Sequence, residues 1–229
     1  MRNLILLGIL LIGLLLAVST CKEILATSIE NIQLTPANFT SIRGEVNSSS
    51  INNVLNKIYQ SDPKERFYIF LDSPGGEVFS GLRLVRVLLS TDRKITCVAT
   101  TAISMAFVIL QACPTRVVTE SSALMSHEVA ITAERQNVLE SKNILKILQG
   151  LEDNVEMMIA KRLKITVEEY QSRIQPEYWL IGGSVILRDK AADRIVTVTC
   201  STETERTEET YEITTVFGIT TAKRPFCPL

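Results

Sequence analysis

The period of the apolar positions changes repeatedly along this chain. Phe67 to Leu71 is a continuous apolar run bounded by turn residues, the pattern of a short strand buried on both faces. After Gly76 the apolar residues Val78, Leu82, Leu84, Val85 and Val87 suit a helix closing near Leu89. Lys94 to Thr100 reads as a strand again, and at Ser104 an apolar helical run begins. Thr115 to Thr119 and Ala123 to Ser126 read as two short strands. Upstream, Phe39 to Val46 reads as a strand, Ser48 to Ser50 offer a helix cap, and Ile51, Val54, Leu55 and Ile58 fall on one helical face. Strands and helices in alternation predict an α/β fold with a largely parallel sheet.

Past residue 130 the pattern lengthens. Ala133 to Leu163 reads as one long helix, with Val138, Ile144, Leu145, Ile147, Leu148 and Leu151 on a broad stripe followed by Val155, Met158 and Ile159. Such a stripe is core or subunit contact before it is a cofactor site. Thr166-Val167-Glu168-Glu169 resembles a capping box opening a shorter helix. Trp179 to Lys190 reads as a further short helix. Arg194 to Ser201 and Thr210 to Val216 read as a hairpin around the polar turn Thr202 to Glu209. Cys21 to Asn38 shows no clear period and reads as a linker.

Composition narrows the function classes. The 229 residues carry 46% hydrophobic and 21% charged residues with a net charge of -1, an ordinary globular balance. The chain has no basic stripe, which argues against a nucleic-acid partner, and no phosphate-binding GxxxxGK[ST] loop. Arg2 followed by an apolar run from Leu4 to Val18, with small residues at Ala17 and Ser19, reads as an export signal. An uncleaved membrane anchor and a lipidated Cys21 are the alternatives. Export permits disulfides, and Cys97, Cys113, Cys200 and Cys227 allow three pairings. If Lys94 to Ala99 runs towards Ser104 and the next helix runs back, Cys97 and Cys113 face each other, which leaves Cys200 with Cys227. The other reading is four buried, reduced cysteines serving as small hydrophobes.

The candidate chemistry lies where strand, turn and helix meet. Leu71-Asp72-Ser73-Pro74-Gly75-Gly76 ends an apolar run in a glycine pair able to present backbone amides to an oxyanion. Ala102-Ile103-Ser104-Met105 places a serine at a strand-to-helix elbow. Ser126-His127-Glu128 contains the only histidine of the chain. Singly, the serine is a helix cap, the histidine a half-buried polar residue, and the glycines a turn. Together they are the parts of a serine hydrolase, which needs no metal and no cofactor.

These phrases, with Ile42-Arg43-Gly44-Glu45-Val46, Trp179-Leu180-Ile181 and Asp193-Arg194-Ile195, resemble in order and spacing the proteolytic subunit of the Clp protease. More broadly they resemble the superfamily that includes signal peptide peptidase A and the crotonase-like fold. The resemblance implies repeated strand-strand-helix units, a long helix and a C-terminal β-hairpin. With the leader and linker read above, it divides the chain into a signal peptide or membrane anchor (1–20), a linker (21–38), a Clp-protease-like domain (39–198) and a β-rich extension (199–229). It implies Ser104 as nucleophile, His127 as general base, and the amides of Gly76 and Met105 as the oxyanion hole. The family's third catalytic residue is an aspartate ahead of an aromatic phrase; anchoring on Tyr178-Trp179 puts Glu177 there. Thr100 and Ala106 stand where the family usually has glycines.

The function so implied is an exported or membrane-tethered serine peptidase that takes extended peptides and assembles as a homo-oligomer. The alternative is a catalytically weak or inactive oligomeric scaffold of the same fold. A crotonase-like acyl-CoA enzyme is a third reading; the serine–histidine pair argues against it, because those enzymes use the amide pair without such a nucleophile.

Overall fold

The computed structural model describes residues 29–128, 138–215 and 218–229. The expected leader, residues 21–28 of the expected linker and the first turn of the expected long helix lie outside them. The elements in order are β1 (Glu30–Leu34), β2 (Phe39–Arg43), α1 (Ser48–Gln60), β3 (Phe67–Ser73), α2 (Val78–Ser90), β4 (Ile95–Ile103), α3 (Met105–Ala112) and β5 (Thr115–Ser126). There follow α4 (Val138–Leu163), α5 (Val167–Arg173), β6 (Tyr178–Ile181), α6 (Gly183–Arg188), β7 (Arg194–Cys200), α7 (Thr202–Arg206), β8 (Glu208–Thr215) and β9 (Gly218–Pro225). The main sheet runs β1-β7-β5-β4-β3-β2, with β6 attached to β5. The pairs β2–β3, β3–β4, β4–β5 and β5–β7 are parallel, as the strand–helix alternation predicts.

The sheet separates two apolar layers. Ile69, Leu71, Cys97 and Ala99 point into the larger one, with Ile51 and Val54 of α1, Leu84 of α2 and Phe107 of α3. Phe70 and Val98, between them in sequence, point into the smaller one with Phe39, Val117 and Val196. Burial on both faces is why Phe67 to Leu71 carries no polar alternation. The smaller layer is covered by the C-terminal segment, where the Phe226 ring packs on Phe39 with centroids 4.8 Å apart. Cys97 is paired with Cys113 and Cys200 with Cys227, each with Cα atoms 6.0 Å apart, so the pairing inferred from strand and helix direction holds. The first ties β4 to the end of α3, and the second ties β7 to the segment after β9.

Several elements differ from expectation. Glu30–Leu34, read as linker, is an edge strand beside β7; its alternation of buried Ile32 and Leu34 is too short to register as a period. The cap of α1 is Asn47, whose side chain accepts from the Ser50 amide at 2.9 Å while Ser50 Oγ accepts from the Asn47 amide at 3.0 Å. Thr115 to Ser126 is one strand with an irregularity, not two strands. Trp179 to Lys190 is not one helix. Tyr178–Ile181 pairs antiparallel with β5, and Gly182, at φ 88, breaks the chain before α6. Arg194–Cys200 does not form a hairpin with the next strand but joins the parallel sheet; Thr202–Arg206 is helical, and the hairpin pairs β8 with β9. Ser201 drives this, its Oγ capping α7 by accepting from the Thr204 amide at 3.2 Å.

Candidate active site

The site is built where β4 stops. Between Ala99 and Thr101 the ladder to β5 slips, and so does the ladder to β3 between Leu71 and Asp72. Side chains satisfy the backbone left over: Thr100 Oγ1 donates to the Leu71 carbonyl at 3.3 Å, and Ser122 Oγ to the Ala99 carbonyl at 2.6 Å. Thr100 therefore has a bonding role at a position where glycine was expected. Past the slip, Ile103 pairs with Met125, which sets Ser104 beside Ser126 and one residue from His127.

Ser104 occupies φ 55, ψ -122, a region that costs a non-glycine residue about 1–3 kcal/mol. Its amide donates to the Met125 carbonyl at 2.9 Å, and its carbonyl accepts from the Val108 amide at 3.2 Å, so both neighbours impose the geometry. It makes no side-chain capping bond to α3, which removes the ordinary reading of this serine as a cap. The strained turn leaves Ser104 half-buried at the head of a buried apolar helix. Strained strand-to-helix serines of this kind present nucleophiles.

The glycine turn packs directly on that elbow. A Cβ at Gly75, φ 94, would lie 2.7 Å from the Ile103 carbonyl oxygen and 3.0 Å from the Met105 nitrogen. One at Gly76 would collide with the Val46 carbonyl oxygen. Val46 donates to the Gly75 carbonyl and accepts from the Glu77 amide, each at 2.7 Å. In a parallel bridge this pattern turns the Gly76 N–H to the opposite side, away from Val46. Met105, the first residue of α3, has its amide among the helix N-terminal donors that lack intrahelical acceptors. Gly81 of α2 lets that helix close on the same point, since a Cβ there would collide with the Met105 side chain.

Gly76, Ser104, Met105 and His127 line one cavity of about 250 Å³. His127 is half-buried, and its Nδ1 contacts the Glu128 backbone carbonyl. A carbonyl only accepts, so Nδ1 is the donor in this contact, which Nε2 does not share. Glu177 is not brought to the cavity. Its carboxylate is exposed and accepts from Trp179 Nε1 at 2.7 Å. The alternation of β6 turns Trp179 outward, and its indole captures the carboxylate assigned by position alone to the imidazole. Of the five site residues expected from sequence, four therefore meet and Glu177 stands apart.

The cavity also includes residues that sequence reasoning did not select. Ser126 Oγ and Tyr170 Oη share a 2.6 Å hydrogen bond, both buried. Burial, followed by carboxylates around it, pushes the Tyr170 phenol up to about 12 although the Ser126 bond lowers it. Leu151, Val155 and Glu156 come from the long helix, where the apolar stripe gave no hint of an opening. Among the described residues no group of histidine, cysteine and carboxylates is arranged to hold a metal.

The parallel α/β sheet thus carries a serine at a strand-to-helix elbow packed against a glycine turn. Comparison with family models matches residues 30–185 to Clp protease. The chain belongs to the Clp protease family, a family of peptidases.

Proposed function

We propose that this chain is an exported serine peptidase acting on extended peptides. Ser104 Oγ attacks the scissile carbonyl while His127 Nε2 takes its proton and returns it to the leaving amine. The amides of Gly76 and Met105 hold the oxyanion of the tetrahedral intermediate, and the peptide lies along the glycine turn as an added strand. The observation that carries this reading is the strained Ser104 lining one cavity with His127 and both expected oxyanion residues. The Glu128 carbonyl does the orienting that a carboxylate does in the triad. A neutral acceptor stabilises the imidazolium less, so turnover is expected to be slow. Two disulfides fit an oxidising compartment, and Ile147, Met157 and Ile181, more than half exposed, suit contact with further copies. No described helix is long and apolar enough to cross a membrane.

The removal of Glu177 to Trp179 favours one other reading, a scaffold that keeps the fold without chemistry. Hydrolysis of a quenched-fluorescent unstructured peptide separates the two. The purified chain is expected to cleave it and Ser104→Ala to be silent; equal rates for both proteins leave the scaffold.

A further inference from the structure

The wall of the cavity beside Ser104 has two characters. Val78 and Leu82 of α2, Val108 of α3 and Leu151 and Val155 of α4 make it apolar over most of its extent. Three carboxylates, Glu128, Glu152 and Glu156, interrupt it, and no lysine or arginine is among its described lining residues. Glu156 is the buried member, 7% exposed. Its Oε2 accepts from Gln171 Nε2 at 2.7 Å, a neutral donor, and no described lysine or arginine forms an ion pair with it. A buried carboxylate with one neutral partner is poorly compensated. Burial, and then the charges of Glu152, Asp153 and Glu128, raise its pKa against the lowering effect of the Gln171 bond. Glu156 therefore places a carboxylate without a described cationic partner at the side of an apolar recess next to the proposed nucleophile.

We propose that this recess selects a lysine or arginine side chain on the residue that supplies the scissile carbonyl, with Glu156 as the specificity-determining residue. A lysine or arginine has a long apolar stem and a cationic head. The stem matches the wall formed by Val78, Leu82 and Val155, and the head supplies Glu156 with the charged donor it lacks. Glu128 adds to the potential that draws the cation in. A leucine fills the apolar wall equally well but leaves the Glu156 carboxylate buried and uncompensated. The inference rests on Ser104 as nucleophile.

The test uses the full chain and two peptidyl diphenyl phosphonates that differ only in a lysine-like or leucine-like side chain at phosphorus. In each, Ser104 Oγ forms a bond to phosphorus, one phenoxide leaves, and His127 passes the serine proton to it. The lysine-like probe is expected to label Ser104 about 10-fold faster or more, the scale of one hydrogen bond between charged groups. Glu156→Gln is expected to erase that ratio; the ratio, not the absolute rate, is read, so a general loss of stability does not mimic the result. Equal or faster labelling by the leucine-like probe overturns the inference, as does a ratio that Glu156→Gln leaves intact. Labelling by a small fluorophosphonate but by neither peptidyl probe also overturns it and spares the nucleophile. Absence of labelling by all three removes the nucleophile and this inference together.

Discussion

His127→Ala is expected to lower peptide turnover by about 10⁴-fold or more, with the thermal unfolding midpoint nearly unchanged. The imidazole is half-buried and its contact is to the adjoining Glu128 carbonyl, so its removal opens no core cavity. What is lost is the group that accepts the Ser104 proton. Because serine and histidine act as one unit, Ser104→Ala with His127→Ala is expected to be no slower than either alone. Glu177→Gln provides the contrast. Its carboxylate is engaged by Trp179 outside the cavity, so turnover is expected to fall less than about 10-fold, where loss of an orienting carboxylate costs on the order of 10⁴. Steady-state kinetics on the wild type and the four variants, each with its unfolding midpoint, checks both parts. A Glu177→Gln loss as large as that of His127→Ala would mean that the carboxylate leaves Trp179 for the imidazole during catalysis.

Asp193→Ala is expected to cost about 3 kcal/mol of stability without touching the site, at the low end for breaking a buried ion pair because the carboxylate is partly solvated. Asp193 Oδ1 accepts from Arg116 Nη2 at 2.6 Å and Oδ2 from the Arg116 amide at 2.8 Å. The Arg116 side chain is 5% exposed and the Asp193 side chain 37%. Arg116 also donates to Gln111, and its Nε is buried without a partner, so losing Asp193 leaves a desolvated cation with one neutral acceptor. Burial by itself raises the Asp193 carboxyl, but the bonds and charge of Arg116 and the charge of Arg162 outweigh it and hold the pKa below the usual carboxylate value. A folded pKa below the unfolded one means stability that is present at neutral pH and lost as pH falls through the folded value. Denaturant unfolding is therefore expected to show a large gap between wild type and variant at pH 7, shrinking in acid. A gap independent of pH would assign the loss to packing instead.

What the sequence revealed follows from how local each cause is. The parallel sheet was legible because Phe67–Ser73 and Ile95–Ile103 are buried on both faces and bounded by turns. The serine elbow was legible because a strand pattern meets a helix pattern at Ser104 with no room for a loop. The β6 strand was not, because Trp179 and Ile181 face outward from only four residues, and four residues cannot separate a period of two from a helix end. β1 was missed for the same reason. The position of Glu177 depends on a bond to Trp179 that no spacing encodes. The acidic recess was hidden more deeply still. Glu156 sits on a stripe of Val155, Met158 and Ile159 as an ordinary helical carboxylate, and only packing against α5 and Gln171 buries it.

The most direct measurement of the central idea is the site of attachment of a small fluorophosphonate to the folded protein, located by peptide mass mapping. The account predicts one adduct, on Ser104, absent in Ser104→Ala and formed far more slowly in His127→Ala. A folded protein that takes no adduct, or takes it on another serine at the same rate in all three proteins, would contradict it.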